Sequence, residues 1–157
     1  MILARVEWTG AKEAIERLRK RQFKLTGKDP VMYGKIQQVI YKSTSVNFAS
    51  KGRPQWVARS PSYEAWAMKK YGTFWPPLLM TGKLLDTTLK SIQAPWEHAN
   101  NVHRLNIKSI WYGTSHQYGA TINLKGRTYK IPKRKYIVIQ ASENRKIKDI
   151  IKQAMKG

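Results

Sequence analysis

The stretch from Pro77 to Ile139 limits the fold more than any other, because its turn-forming residues recur often enough to cut it into short pieces. Pro77-Leu78-Leu79-Met80-Thr81-Gly82-Lys83-Leu84 opens it, and Ile131-Pro132-Lys133-Arg134 makes a corner near its end. Between them lies Trp111-Tyr112-Gly113-Thr114-Ser115-His116-Gln117-Tyr118-Gly119. Thr81 is placed to cap a helix with Leu85, Leu89 and Ile92 on one side, and Pro95 stops it. Val102–Ile107 and Lys108–Tyr112 read as one strand or two strand segments. Thr121–Leu124 and Arg127–Ile131, joined by Lys125-Gly126, read as a hairpin with a two-residue turn. Tyr136–Ile139 is a continuous apolar run between polar residues, the pattern of a strand buried on both faces. The fixed points are the Thr81-Gly82 start, the His116-Gln117-x-Gly119 turn and the corner at Pro132.

Upstream, Ile2, Ala4, Val6 and Trp8 alternate with Leu3, Arg5 and Glu7, which predicts a first strand over 2–8. Thr9 is placed as an N-cap for a helix from Ala11, with Ala14, Ile15, Leu18 and Leu25 on its apolar stripe and Gly27 as its stop. Asp29-Pro30 starts a second helix, in which Met32, Ile36, Val39, Ile40 and Val46 keep a helical period to about Ala49. The pair either folds back on itself or meets end to end; spacing does not choose. Residues 50–62 are rich in breakers and read as a loop pinned by Trp56 and Val57. A short helix follows, capped by Ser60, with Trp66 and Ala67 inward and Gly72 as terminator. Ser142 is placed to cap a last helix whose Ile147, Ile150, Ile151 and Ala154 form the cleanest apolar stripe in the chain. The fold class is α+β. A small, mostly antiparallel sheet is packed by the Thr81–Ile92 helix and the C-terminal helix, beside an N-terminal helical pair. Length predicts a single domain over 1–157, with 1–50 as the strand and helical pair and 51–157 as the α+β core.

Charge restricts function. Thirty Lys and Arg against nine Asp and Glu leave a net charge of +21, far above the magnitude of about 2–8 that keeps a small domain soluble. Such a chain attracts polyanions or acidic protein surfaces. There is no cysteine, hence no disulfide framework and no thiolate chemistry. No apolar run reaches the ~18 residues of a membrane span, and the first residues lack the pattern of a secretion signal. A cytoplasmic folding environment is expected.

No constellation points to catalysis. His116 adjoins Ser115, but no acidic residue lies between Glu97 and Glu143, and adjacent side chains rarely aim at one point. His116 reads as a structural histidine bonding the backbone of its turn, and Gly119 as a positive-φ or close-packing position. His98 and His103 flank Asn100-Asn101 at a spacing that suits neither a helical pair nor a zinc finger, so they read as an exposed loop. Neither paired carboxylates nor a phosphate-cradling glycine loop is visible. The chain reads as a non-enzyme without cofactor or metal.

What remains is basic surface. Arg17-x-Arg19-Lys20-Arg21 with Lys24 fits either a DNA-tracking face or the solvated side of a helix. Arg145-Lys146 through Lys156 is a further basic stretch. The cluster Lys125, Arg127, Lys130, Lys133, Arg134 and Lys135 falls on a hairpin and the corner after it, which makes a charged docking edge. Trp56, Tyr71 and Trp75 are candidate interface aromatics, although at least one should belong to the core.

The order Leu-x-x-Thr81-Gly82-x-Leu84, Tyr112-x-x-x-His116-Gln117-x-Gly119, Ile131-Pro132-x-Arg134 and closing helix resembles the phage virion morphogenesis family. That family includes the P2-type tail completion proteins and the Mu-type morphogenesis protein. Upstream, Trp56-x-x-Arg59-Ser60-Pro61-Ser62 and Lys69-x-x-Gly72 are similar to its Trp-x-x-Leu-Ser-Pro and Lys-x-x-Gly stretch, so the likeness covers roughly residues 50–155. Lys135-Tyr136 departs from the usual Pro-Phe, and Ser62 and Tyr63 from the usual small residue and Thr. The resemblance implies a tail completion or head–tail joining (neck) protein, acting as a ring-like homo-oligomer with other tail or neck proteins. It would assemble in the host cytoplasm and end in the virion. The rival reading is a non-specific nucleic-acid-binding protein of a phage or prophage.

Overall fold

Helix α1 (Pro30–Ala49) is the axis of the structure, a computed structural model that describes Glu16 and residues 29–73, 75–99, 102–124 and 126–156. The expected strand over 2–8, the helix from Ala11 with its cap and stop, and the Arg17–Lys24 patch lie outside the described residues, as does Lys125. After α1 come α2 (Pro61–Tyr71), α3 (Lys83–Ile92), β1 (Glu97–Ala99), β2 (Val102–Arg104), α4 (Gly113–Tyr118), β3 (Ala120–Leu124), β4 (Arg127–Ile131) and α5 (Ala141–Lys156). The class is α+β, as the sequence predicts.

The start of α1 follows from local chemistry. Asp29 Oδ1 accepts from the N–H groups of Val31 and Met32, at 3.0 Å each, and Pro30 sits where no helical N–H is needed. Its two halves bury different chemistry. The first half turns in Met32, Tyr33 and Ile36, which pack with Trp96 and with Ile147, Ile150, Ile151 and Ala154 of α5. The α5 stripe therefore has the partner its period demanded. The second half turns in Ser43, Thr44, Asn47 and Phe48, while Val46, expected inward, is 46% exposed.

The reason is the segment 134–140. Tyr136–Ile139 bends at Ile137 and pairs with no strand among the described residues, which corrects the expectation of a buried strand. Its backbone groups are satisfied by side chains instead. Asn47 Nδ2 donates to the carbonyls of Tyr136 (3.1 Å) and Val138 (3.2 Å), and the single Ser43 hydroxyl proton is shared between Val138 O at 2.7 Å and Glu143 Oε2 at 2.6 Å. Gln117 Oε1 accepts from the N–H groups of Tyr136 and Ile137, while its Nε2 donates to Ile137 O. Trp56 Nε1 donates to Lys135 O at 2.8 Å. Buried backbone must be paired, and here polar side chains do what a neighbouring strand would do.

The second core cluster forms around this segment: Phe48, Trp56, Leu78, Leu84 and Tyr136, with Ile110, Tyr112 and Ile137 against them. Tyr136 also shares a 2.8 Å hydrogen bond with Ser109 Oγ. Gly113 lies so close that a Cβ there would run into Ser109 Oγ, the Tyr136 hydroxyl and Leu84.

Strands play a smaller part than expected. Among the described residues they form two separate antiparallel hairpins, not one sheet packed by two helices. Residues 105–112 continue β2 without strand pairing. His98 and His103, expected in an exposed loop, lie on β1 and β2, opposite each other in register. β3 and β4 pair as predicted, with Leu124 opposite Arg127.

Helix ends agree in part. Ser60 caps α2, and Gly72, in the left-handed region, ends it. Of its two residues expected inward, Ala67 is buried but Trp66 is 45% exposed. Helix α3 begins at Lys83 with Gly82 at the cap position, so Thr81 stands one residue too early; its Oγ1 accepts from Lys83 N at 3.4 Å. Gln140, not Ser142, precedes α5, and Glu143 Oε2 reaches back to the Gln140 N–H at 2.7 Å. Glu143 also accepts from Ser43 Oγ and pairs with Arg53 at 3.0 Å, which ties α5, α1 and the 50–60 loop together.

Asn47→Ala should lower stability by about 2–3 kcal/mol, read from urea unfolding, because it strips two carbonyls and Arg53 Nε of their partner. Burial alone would raise the Glu143 carboxyl; the Ser43 hydroxyl, the Gln140 N–H and Arg53 outweigh it and hold it below the ordinary carboxylate range. A depressed folded pKa contributes stability that is present above the unfolded value of about 4.3 and lost as pH falls through the folded one. Glu143→Gln should therefore lower the urea midpoint at neutral pH and flatten its acid limb.

Candidate docking surface

Two local features decide which basic residues face outward. Gly119, at φ +81°, turns the chain from α4 into β3, and its backbone runs close to Ile131 O and Lys133 N. Among the described residues neither strand of the β3–β4 hairpin shares an extended interface with a helix. An isolated two-stranded ribbon is marginal in water and has open edges, both of which favour a neighbour. Arg127, Tyr129 and Lys130 on β4 are exposed, as are Lys133 and Lys135 beyond it. These four cations are on the surface.

Arg134 does not. It is 6% exposed; its Nε donates to Val57 O (2.8 Å), its Nη2 to Ala58 O (3.1 Å), and its backbone N–H to His116 O (2.6 Å). The residue expected on the charged edge is instead the bolt that fastens the Pro132 corner to the 57–58 loop and to α4. Desolvation, and then the nearby Arg59, lower its pKa. Among the described residues no carboxylate forms an ion pair with either arginine.

His116 and Gln117 sit on the short helix α4, where a turn was expected. Gln117 braces the 136–137 backbone. The His116 ring bonds no backbone: its Nδ1 is buried without a hydrogen-bond partner, and the ring packs edge-on to Tyr112 at 6.1 Å. Burial first, then Arg134 and Arg59, lower its pKa, so the imidazole is neutral at pH 7. No hydroxyl or carboxylate converges on it among the contacts of the described residues, so the Ser-His arrangement of a hydrolase is not formed here.

The aromatic candidates separate. Trp56 is buried in the core, against Phe48 at 5.5 Å, which corrects its place among interface residues. Tyr71 and Trp75 do share a surface: Tyr63, Trp66, Tyr71 and Trp75 follow one another at ring spacings of 5.3, 5.7 and 5.5 Å. Lys70 Nζ lies over the Trp66 and Tyr71 rings, and Arg59 over Tyr63 at 4.8 Å. Three residues that the sequence did not single out join the surface: Arg59, Tyr63 and Trp111, the last 88% exposed. Arg59 had a signal in the Trp56-x-x-Arg59-Ser60-Pro61 stretch; Trp111 had none.

Together these features describe a small α+β protein with a cationic ribbon and an aromatic row on its outside. The chain belongs to the phage virion morphogenesis family, which it matches over residues 6–156, nearly its whole length. No curated protein and no solved structure matches it. Among the described residues no helix is long and apolar enough to cross a membrane.

Arg134→Glu should cost about 3–5 kcal/mol, because it sets a buried carboxylate against two carbonyls. The double variant Lys133→Glu/Lys135→Glu, at exposed positions, should change stability by no more than about 0.5 kcal/mol. Thermal unfolding of both variants checks the contrast.

Proposed function

We propose that, within phage virion morphogenesis, this protein acts at tail completion or head–tail joining. On this reading it is a structural subunit that works by docking, as an oligomer and without catalysis. The observation that carries the proposal is the cationic ribbon on a chain of this family. Arg127, Lys130, Lys133 and Lys135 project from an element with little support of its own, which suits an edge completed by a neighbouring subunit. A neighbour would be another copy or an acidic tail or neck protein, met in the host cytoplasm and retained in the virion. The net charge of +21 opposes close packing of copies unless an acidic partner or DNA offsets it.

That charge also supports the second reading, non-specific nucleic-acid binding. The two differ in salt dependence: a protein that neutralises several phosphates shows a steep log–log loss of affinity with salt.

Replacing Arg127, Lys130, Lys133 and Lys135 together with Glu should leave the folded protein intact and abolish infectious particles in a complementation assay. Separate full heads and tails should be seen by negative staining. Normal particle yield from that variant would remove the ribbon from the assembly step. Retained joining with lost duplex-DNA binding would favour the second reading.

A further inference from the structure

Beside the corner at Pro132 lies a groove of about 1110 Å³, walled mainly by apolar and aromatic side chains such as Leu78, Met80, Ile110 and Tyr112. Its charged lining is all of one sign: Arg59, Lys83, Lys130 and Arg134, with no carboxylate among them. Two of its nitrogens are buried and unpartnered, Arg59 Nη1 and His116 Nδ1. A buried guanidinium N–H without an acceptor is unfavourable, and His116 Nδ1 can donate in one tautomer of its neutral ring. Nothing in the fold described so far uses either atom: Arg59 makes only a long 3.4 Å bond to Pro76 O and the stack on Tyr63, and His116 serves the fold through its backbone.

We propose that this groove receives a short apolar peptide segment of another virion protein, whose carboxylate pairs with the cationic lining beside Arg59 and His116. The proposal rests on the assembly reading above and names the chemistry of the partner. Charge complementarity selects the occupant. The charged side chains of the lining are all cations, so the group that complements them is an anion. The apolar walls call for hydrophobic residues on either side of it. A second copy of this chain is a poor source, with nine acidic residues against thirty basic ones. Duplex DNA is a poor fit as well, since Arg134 is buried and phosphate tracking needs exposed cations.

The test uses isotope-labelled full-length protein and reads the His116 ring and Arg59 guanidinium resonances. The probes are acetyl-Leu-Asp-Leu-amide, the same peptide with Asn for Asp, a single-stranded oligonucleotide and a DNA duplex. The Asp peptide should give a saturable shift at both residues and raise the pKa of His116, since a carboxylate beside the ring favours its charged form. Binding of the Asn peptide should be weaker by about tenfold or more, because it lacks the charge-assisted bonds. Arg59→Gln should abolish the response while keeping the unfolding midpoint. Equal shifts from the two peptides, a preference for either oligonucleotide, or no shift from any probe would each overturn the proposal. The peptide comparison is made on the unaltered protein, so it decides even if Arg59→Gln fails to fold. It also requires no virion, so its failure is separable from that of the assembly role.

Discussion

The structure depends on how one segment, residues 134–140, has its backbone hydrogen bonds met. A strand would borrow partners from a neighbouring strand. Here Asn47 and Ser43 of α1, Gln117 of α4 and Trp56 of the preceding loop supply them from side chains. That arrangement brings four distant parts of the chain to one line, and the larger core cluster closes around it. It also explains why the second half of α1 buries Asn47 and Ser43 where aliphatic residues would be ordinary. Each polar group there is costly unless paired, so the arrangement holds as a unit.

Around that line the basic residues divide by role. Arg134 and Arg53 point inward and act as cross-braces, one to the carbonyls of Val57 and Ala58, the other to Glu143 and α1. Arg127, Lys130, Lys133 and Lys135 point outward from the ribbon and the corner beyond it. Neighbours in sequence thus serve opposite ends. Lys133 and Lys135 are exposed on either side of a residue that is almost wholly buried.

Much of the local structure was legible beforehand. Asp29-Pro30, Ser60-Pro61, Gly72 and the pairing of β3 with β4 act through bonds only a few residues long, so the residues themselves dictate the outcome. The α5 stripe was legible for a similar reason: its helical period needs only some apolar partner. Tyr136–Ile139 misled because an apolar run reports burial without saying what satisfies the backbone. Trp56 and Arg134 misled in the opposite sense. An indole and a guanidinium suit an interface equally well, and only the position of a carbonyl acceptor decides that they turn inward. Glu143 likewise showed nothing in sequence of its three-way tie to Ser43, Arg53 and Gln140.

The sequence by itself determined the class of fold, the helix starts and stops set by short-range caps, the β3–β4 pairing, the excess of positive charge and the family. These follow from interactions within a few residues, or from composition, which no folding event can change. The tertiary structure decided which cations are struts and which are surface, and that Asn47 and Gln117 replace a missing strand. It also decided that Arg59 and His116 come to line one groove. Those outcomes require residues tens of positions apart to meet, and only the packed chain specifies which buried donor finds which acceptor.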